Sequence, residues 1–118
     1  MSKGFLTTHV LNTGQGKPAA AITITAYSVD NDTRVELARM TTNEDGRTDQ
    51  PLLAVGEFPA GAYELVFHVG DYLAAHFPEQ GTPFYNDISV AFHSTDPDAH
   101  YHIPLLLSPF GYSTYRGS

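Results

Sequence analysis

A chain of 118 residues, 42% hydrophobic and 16% charged, suits one globular domain over residues 1–118 and is too apolar for disorder. Its formal net charge of −7, with Lys3, Lys17, Arg34, Arg39, Arg47 and Arg116 scattered along it, excludes a general phosphate-binding surface, so nucleic acid is not an expected partner. The lack of cysteine excludes disulfides and thiolate metal sites, and no apolar run approaches the ~20 residues that cross a bilayer, so no membrane partner is expected either.

The opening MSKGFLTTHV has no long apolar stretch ending in a cleavage site. That pattern places the chain in the cytoplasm, with periplasm or peroxisome as its location only if a targeting segment is missing. FLTTHVLN, if extended, puts Phe5, Thr7, His9 and Leu11 on one face and Leu6, Thr8 and Val10 on the other. His9 then lies on a mixed polar and apolar surface, where a partly exposed strand histidine is the plain reading. GQGKP is not a phosphate loop: its glycine spacing is wrong, and Pro18 stands where Ser or Thr would bind magnesium.

AITITAYSV alternates Ile22, Ile24 and Ala26 against Thr23, Thr25 and Tyr27, a half-buried strand. DNDTRV lacks the glycine and distal glutamate of a calcium loop, and its NDT at Asn31 is a glycosylation acceptor only in a secreted protein. RVELARMTTN reads as the next strand. NEDGRTD reads as a turn around Gly46, in which Arg47 alone would be a solvated residue.

After the turn FPAG, GAYELVFHVG sets Tyr63, Leu65, Phe67 and Val69 against Ala62, Glu64, Val66 and His68. GDYLAAHFPEQG is the one helix predicted, closed by Pro78 and Gly81. DISVAFHS alternates again, and STDPDA turns the chain into HYHIPLLLSP. There Tyr101, Ile103, Leu105 and Leu107 form a core face, while His100, His102, Pro104, Leu106 and Ser108 form the other. Two histidines at i and i+2 on a strand point the same way, which suits zinc, but no local Cys or carboxylate completes the site. No serine sits in a nucleophile-elbow pattern. Short strands with regular turns and one small helix predict an antiparallel β-sandwich.

The tail FGYSTYRGS carries two tyrosines and an arginine on its last seven positions, where chains ordinarily fray. With LTTHVLNTGQGKPAA, TNEDGRTDQPLL, FPAGAYELVF and HYHIPLLLSP, it resembles, in order over nearly the whole chain, the 5-hydroxyisourate hydrolases of the transthyretin-related family. The terminal YRGS is the most specific part of the resemblance, since it separates these enzymes from hormone-carrying transthyretins. The resemblance implies an all-β transthyretin-type sandwich of seven or eight strands, assembled edge to edge into dimers and face to face into a homotetramer. Its active sites would lie in the cleft between dimers.

The resemblance also implies cofactor-free, metal-independent hydrolysis of 5-hydroxyisourate to 2-oxo-4-hydroxy-4-carboxy-5-ureidoimidazoline in urate degradation. Carried over by position, the catalytic set is His9, Arg47, His102 and Ser118, with His9, Arg47, Tyr115 and Arg116 binding substrate. His100 matches no functional position, and Asn12 stands where members more often have Asp, read here as a local turn variation.

In that scheme His102 activates water while His9 orients substrate or shuttles a proton, and the two roles are interchangeable on sequence grounds. Arg47 holds the developing oxyanion. Tyr115 positions the heterocycle, Arg116 anchors the tail, and Ser118 with its carboxylate holds the histidines, which requires Ser118 to be the true end. Strict alternation cannot point Tyr115 and Arg116 to one face, so either the tail curls or the two do different jobs. Three rivals stand beside this reading: a non-catalytic small-ligand carrier of transthyretin type, a zinc hydrolase built on the HYH pair, and a plain module for protein contacts.

Overall fold

The alternating segments fold into two four-stranded sheets stacked face to face. The computed structural model describes residues 2–117. Its strands are β1 (Phe5–Asn12), β2 (Lys17–Pro18), β3 (Thr23–Asp30), β4 (Thr33–Thr41), β5 (Gly61–His68), β6 (Asp87–Ser94), β7 (His100–Ser108) and β8 (Gly111–Thr114). One sheet runs β2-β1-β7-β8 and the other β4-β3-β5-β6. The sandwich is therefore as expected, with one departure from antiparallel pairing: β1 lies parallel to β7 over its whole length. The connection from β6 to β7 crosses between sheets, so no hairpin forces the two strands to oppose each other.

The alternation decides what each strand buries. Leu6 and Val10 of β1, Ile24 of β3, Leu65 and Phe67 of β5, and Leu105 and Leu107 of β7 are all buried in one core between the sheets. Each such side chain contributes about 1.5–3 kcal/mol by leaving water. The alternate positions are turned away from that core, which puts Thr7, His9, His100 and His102 on the outer face of the first sheet. DNDT proves to be a hairpin turn, closing β3 on β4 with Asp30 opposite Thr33 and Asn31 at φ 55°.

The helix is shorter than predicted. Helix α1 spans Gly70–His76 and stops where Phe77 N–H reaches back to the Leu73 carbonyl. Pro78 then disfavours helical geometry at Phe77, and a separate 3₁₀ turn over Pro78–Gln80 ends at Gly81. No helix among the described residues is long and apolar enough to cross a membrane.

The tail does not curl. β8 pairs with β7 from Ser108↔Gly111 to Leu105↔Thr114, and the same register returns at His102↔Gly117. In that register Arg116 falls opposite Ile103, with the core-facing set, and Gly117 opposite His102, with the outer set.

Candidate active site

The site grows from the parallel pairing of β1 with β7. Its register sets Phe5 opposite His100 and Thr7 opposite His102, so these side chains share the outer face. Phe5 stacks on the His100 ring at 4.1 Å between centroids, tilted by only 10°. The Thr7 hydroxyl lies between the two histidines, 2.6 Å from His100 Nε2 and 2.8 Å from His102 Nδ1.

Arg47 comes from the loop after β4, which its own side chains wind into shape. Asn43 Oδ1 accepts the Asp45 and Arg47 N–H groups at 2.9 and 3.2 Å, and Asn43 Nδ2 donates to Asp49 Oδ1 at 2.9 Å. Asn43 N–H also bonds the Arg47 carbonyl at 2.7 Å. Gly46, at φ +75°, then presses its backbone on β1, where the Val10 N–H donates to the Gly46 carbonyl at 2.8 Å. A Cβ there would sit 2.3 Å from the Val10 oxygen, so the loop can dock only with glycine at this point. The same loop fixes His9, whose Nε2 lies 2.9 Å from the Asp45 carbonyl. A carbonyl only accepts, so His9 Nε2 carries a hydrogen and Nδ1 is the free acceptor when the ring is neutral.

Arg47, His100, His102, Thr7, Asp49 and Gln50 line a polar cavity of about 370 Å³, with His9 beside it under the loop. Partial burial comes first, and the Arg47 charge second, in holding both His9 and His102 below the ordinary histidine value of 6.5. Neighbouring His100 and His9 add to the effect on His102, whereas Asp45 works against it on His9. Both rings are therefore neutral near pH 7, the state a general base needs. No carboxylate among the described residues forms an ion pair with Arg47, which leaves its fork for an anionic or carbonyl oxygen. No group of three or more His, Cys, Asp or Glu among the described residues has the spacing of a metal site.

The predicted residues thus divide. His9, Arg47 and His102 converge, but Tyr115 and Arg116 do not join them within the chain. Arg116 lies over the Tyr101 ring at 4.1 Å, and Tyr115 is 59% exposed. Both line a separate apolar cleft of about 210 Å³ with Val90, Phe92 and Ile103. The two tail residues share that cleft, apart from the histidines. Gly117 does reach the site: its N–H donates to the His102 carbonyl at 2.7 Å, and a Cβ on it would come within 2.6 Å of His102 Cδ2. Ser118, the fourth expected catalytic residue, lies outside the described residues.

Sequence reasoning missed Thr7 and Asn43 as parts of the site. Thr7 had a signal, since it shares the outer parity of β1 with His9. Asn12 does more than vary a turn. Only 1% exposed, it donates to Gln15 Oε1 at 3.0 Å and to the Tyr72 hydroxyl at 2.9 Å, tying that turn to α1. An aspartate could not make these two donations.

Known proteins share this arrangement of strands and much of its sequence. The model of the HIUase/Transthyretin family matches residues 6–117. A 5-hydroxyisourate hydrolase of Mesorhizobium japonicum is 51% identical over 116 residues, covering 98% of this chain and 93% of that protein. The structure of Klebsiella pneumoniae 5-hydroxyisourate hydrolase superposes with a TM-score of 0.79 at 30% identity, over 100% of both chains. The crystal structure of (S)-allantoin synthase gives a TM-score of 0.88 at 40% identity, covering 99% of this chain, which spans only 44% of that larger one.

Proposed function

The chain belongs to the HIUase/Transthyretin family, and from that premise we propose that it hydrolyses 5-hydroxyisourate to 2-oxo-4-hydroxy-4-carboxy-5-ureidoimidazoline in urate degradation. The observation that carries the reading is the convergence of a neutral His102, oriented through Nδ1, with the Arg47 guanidinium in one polar cavity. A passive carrier pocket needs neither. The relatives' names supply the substrate.

Hydrolysis adds water across a ring amide. His102 takes a proton as the water oxygen bonds to the carbonyl carbon, a contribution of about 10²–10⁴-fold. Arg47 receives the charge that develops on the carbonyl oxygen; removing one such donor typically raises the barrier by about 2.7–4 kcal/mol. The C–N bond then breaks, and the proton passes to the departing nitrogen. His9, fixed on the Asp45 carbonyl, offers Nδ1 to orient a substrate N–H or to relay that proton.

In the same reading Ser118 holds the histidines, while Tyr115 and Arg116 bind substrate in the site of another copy. β6 and β8 each end a sheet, and pairing between copies would complete both edges in a dimer, two of which would meet face to face as a homotetramer. Sedimentation at several concentrations checks that assembly.

The activity itself is tested by forming 5-hydroxyisourate in place from urate with urate oxidase and adding chelator-treated protein. The ultraviolet signal of the intermediate is expected to decay faster than in the blank. Decay at the blank rate from folded protein would overturn the reading in favour of a carrier, and activity lost to chelation and restored by zinc would favour a metal hydrolase.

A further inference from the structure

We propose that His100, acting through Thr7, is a positioning residue that sets which ring nitrogen of His102 faces the substrate. The inference rests on the hydrolase reading for its kinetic consequence, but its structural content stands independently. A neutral imidazole carries one hydrogen, on Nδ1 or on Nε2, and only the other nitrogen can take a proton from water. His102 turns Nδ1 to Thr7, so the working base is the ring with hydrogen on Nδ1 and a lone pair on Nε2. Thr7 must then accept from His102 and spend its own hydroxyl hydrogen elsewhere. His100 Nε2 is the acceptor placed to receive it.

The geometry allows this direction. Thr7 Oγ1 lies within hydrogen-bond reach of both rings, 2.6 Å from His100 Nε2 and 2.8 Å from His102 Nδ1, so its one hydroxyl can accept from one and donate to the other. The reverse direction would give His102 a hydrogen on Nε2 and leave it no base. His100 is itself held on two sides: stacked on Phe5 and bonded to Thr7, with β1 and β7 in fixed register beneath. An exposed histidine with no part in the convergent set thus acquires a role in aligning it. The chain His102 Nδ1–H to Thr7, then Thr7 O–H to His100 Nε2, balances with one hydrogen per bond.

The test combines ring-nitrogen NMR with turnover at pH 8, where His102, held below 6.5, is neutral. In the wild type, long-range proton–nitrogen correlations are expected to report His102 protonated on Nδ1. Thr7→Val, which keeps shape but loses the hydroxyl, and His100→Phe, which keeps the stack on Phe5 but loses the acceptor, should both populate Nε2–H. Both should lower kcat about ten-fold, part of the ~10²–10⁴-fold worth of a general base, with KM little changed. Thr7→Ser restores the hydroxyl and His100→Gln restores an acceptor, so both should return the tautomer and most of the rate.

Wild-type His102 found as Nε2–H would overturn the proposal. So would an unchanged tautomer in folded Thr7→Val and His100→Phe proteins. A wild type without turnover but with the predicted tautomer, shifted in both variants, would sink the hydrolase reading while upholding the relay.

Discussion

The sandwich carries a histidine hydrogen-bond chain on each outer face, and the two differ in what surrounds them. On the first sheet His102 and His100 meet at Thr7, beside Arg47 and a polar cavity. On the second, His68 Nε2 lies 3.0 Å from Thr25 Oγ1 and His68 Nδ1 lies 3.1 Å from Asp87 Oδ1. By connectivity alone the second chain, hydroxyl to imidazole to carboxylate, looks more like a nucleophile system than the first. Yet Thr25 is fully buried, so no substrate can reach its oxygen, and both nitrogens of His68 are already engaged. The first chain instead leaves His102 Nε2 without a partner among the described residues, beside a cavity lined by the Arg47 guanidinium. Accessibility and a charge-stabilising neighbour, more than a hydrogen-bonded triad, distinguish a reactive histidine from a structural one.

The sharpest break in this comparison comes from removing the cation. Arg47→Ala should lower kcat by about 10²–10³-fold, the usual consequence of losing a transition-state donor, with the fold unchanged by circular dichroism. Steady-state kinetics with Arg47→Lys alongside should recover little, because an ammonium lacks the planar fork.

A smaller effect follows from moving the base without replacing it. Gly117→Ala would bring a methyl group within 2.6 Å of His102 Cδ2, displacing the ring. Misplacement on the order of 1 Å carries losses up to ~10²-fold, so kcat should fall while thermal unfolding shifts little. Equal kcat for the two proteins would remove the tail from the site.

The pH dependence is weaker again. His9 and His102 are held below 6.5 by burial and by Arg47, so kcat/KM should fall on the acid side with its midpoint below pH 6.5. The same shifts bear on stability. Between the folded values and 6.5 the unfolded chain binds more protons, so stability rises with pH through that window and levels off above it. Urea titrations across this range measure the slope; an activity midpoint at or above 6.5 would contradict the shifts.

The smallest effect lies on the other face. Thr25→Ala should reduce stability by about 1 kcal/mol, read from denaturant midpoints, and leave turnover untouched.

Much of this was legible in the residues. Alternation in β1 and β7 put His9 and His102 on outer faces, and Gly46 marked the turn that holds Arg47. What the sequence could not carry was the pairing between distant strands. Thr7 becomes part of the site only because β1 lies parallel to β7 in a register that opposes it to His102, and no local pattern encodes that register. The role of Gly117 likewise depends on a backbone bond to a residue fifteen positions earlier, after β8 has turned back along β7. The helix was overextended because the apolar spacing continues through Phe77, while the steric demand of Pro78 ended it one turn sooner.

The most direct measurement sets the two faces against each other. His102→Asn and His68→Asn would be assayed side by side for 5-hydroxyisourate decay, each checked for fold and assembly. The account predicts that His68→Asn keeps the wild-type rate while His102→Asn loses about 10²–10⁴-fold. A His102→Asn protein as fast as the wild type would contradict it.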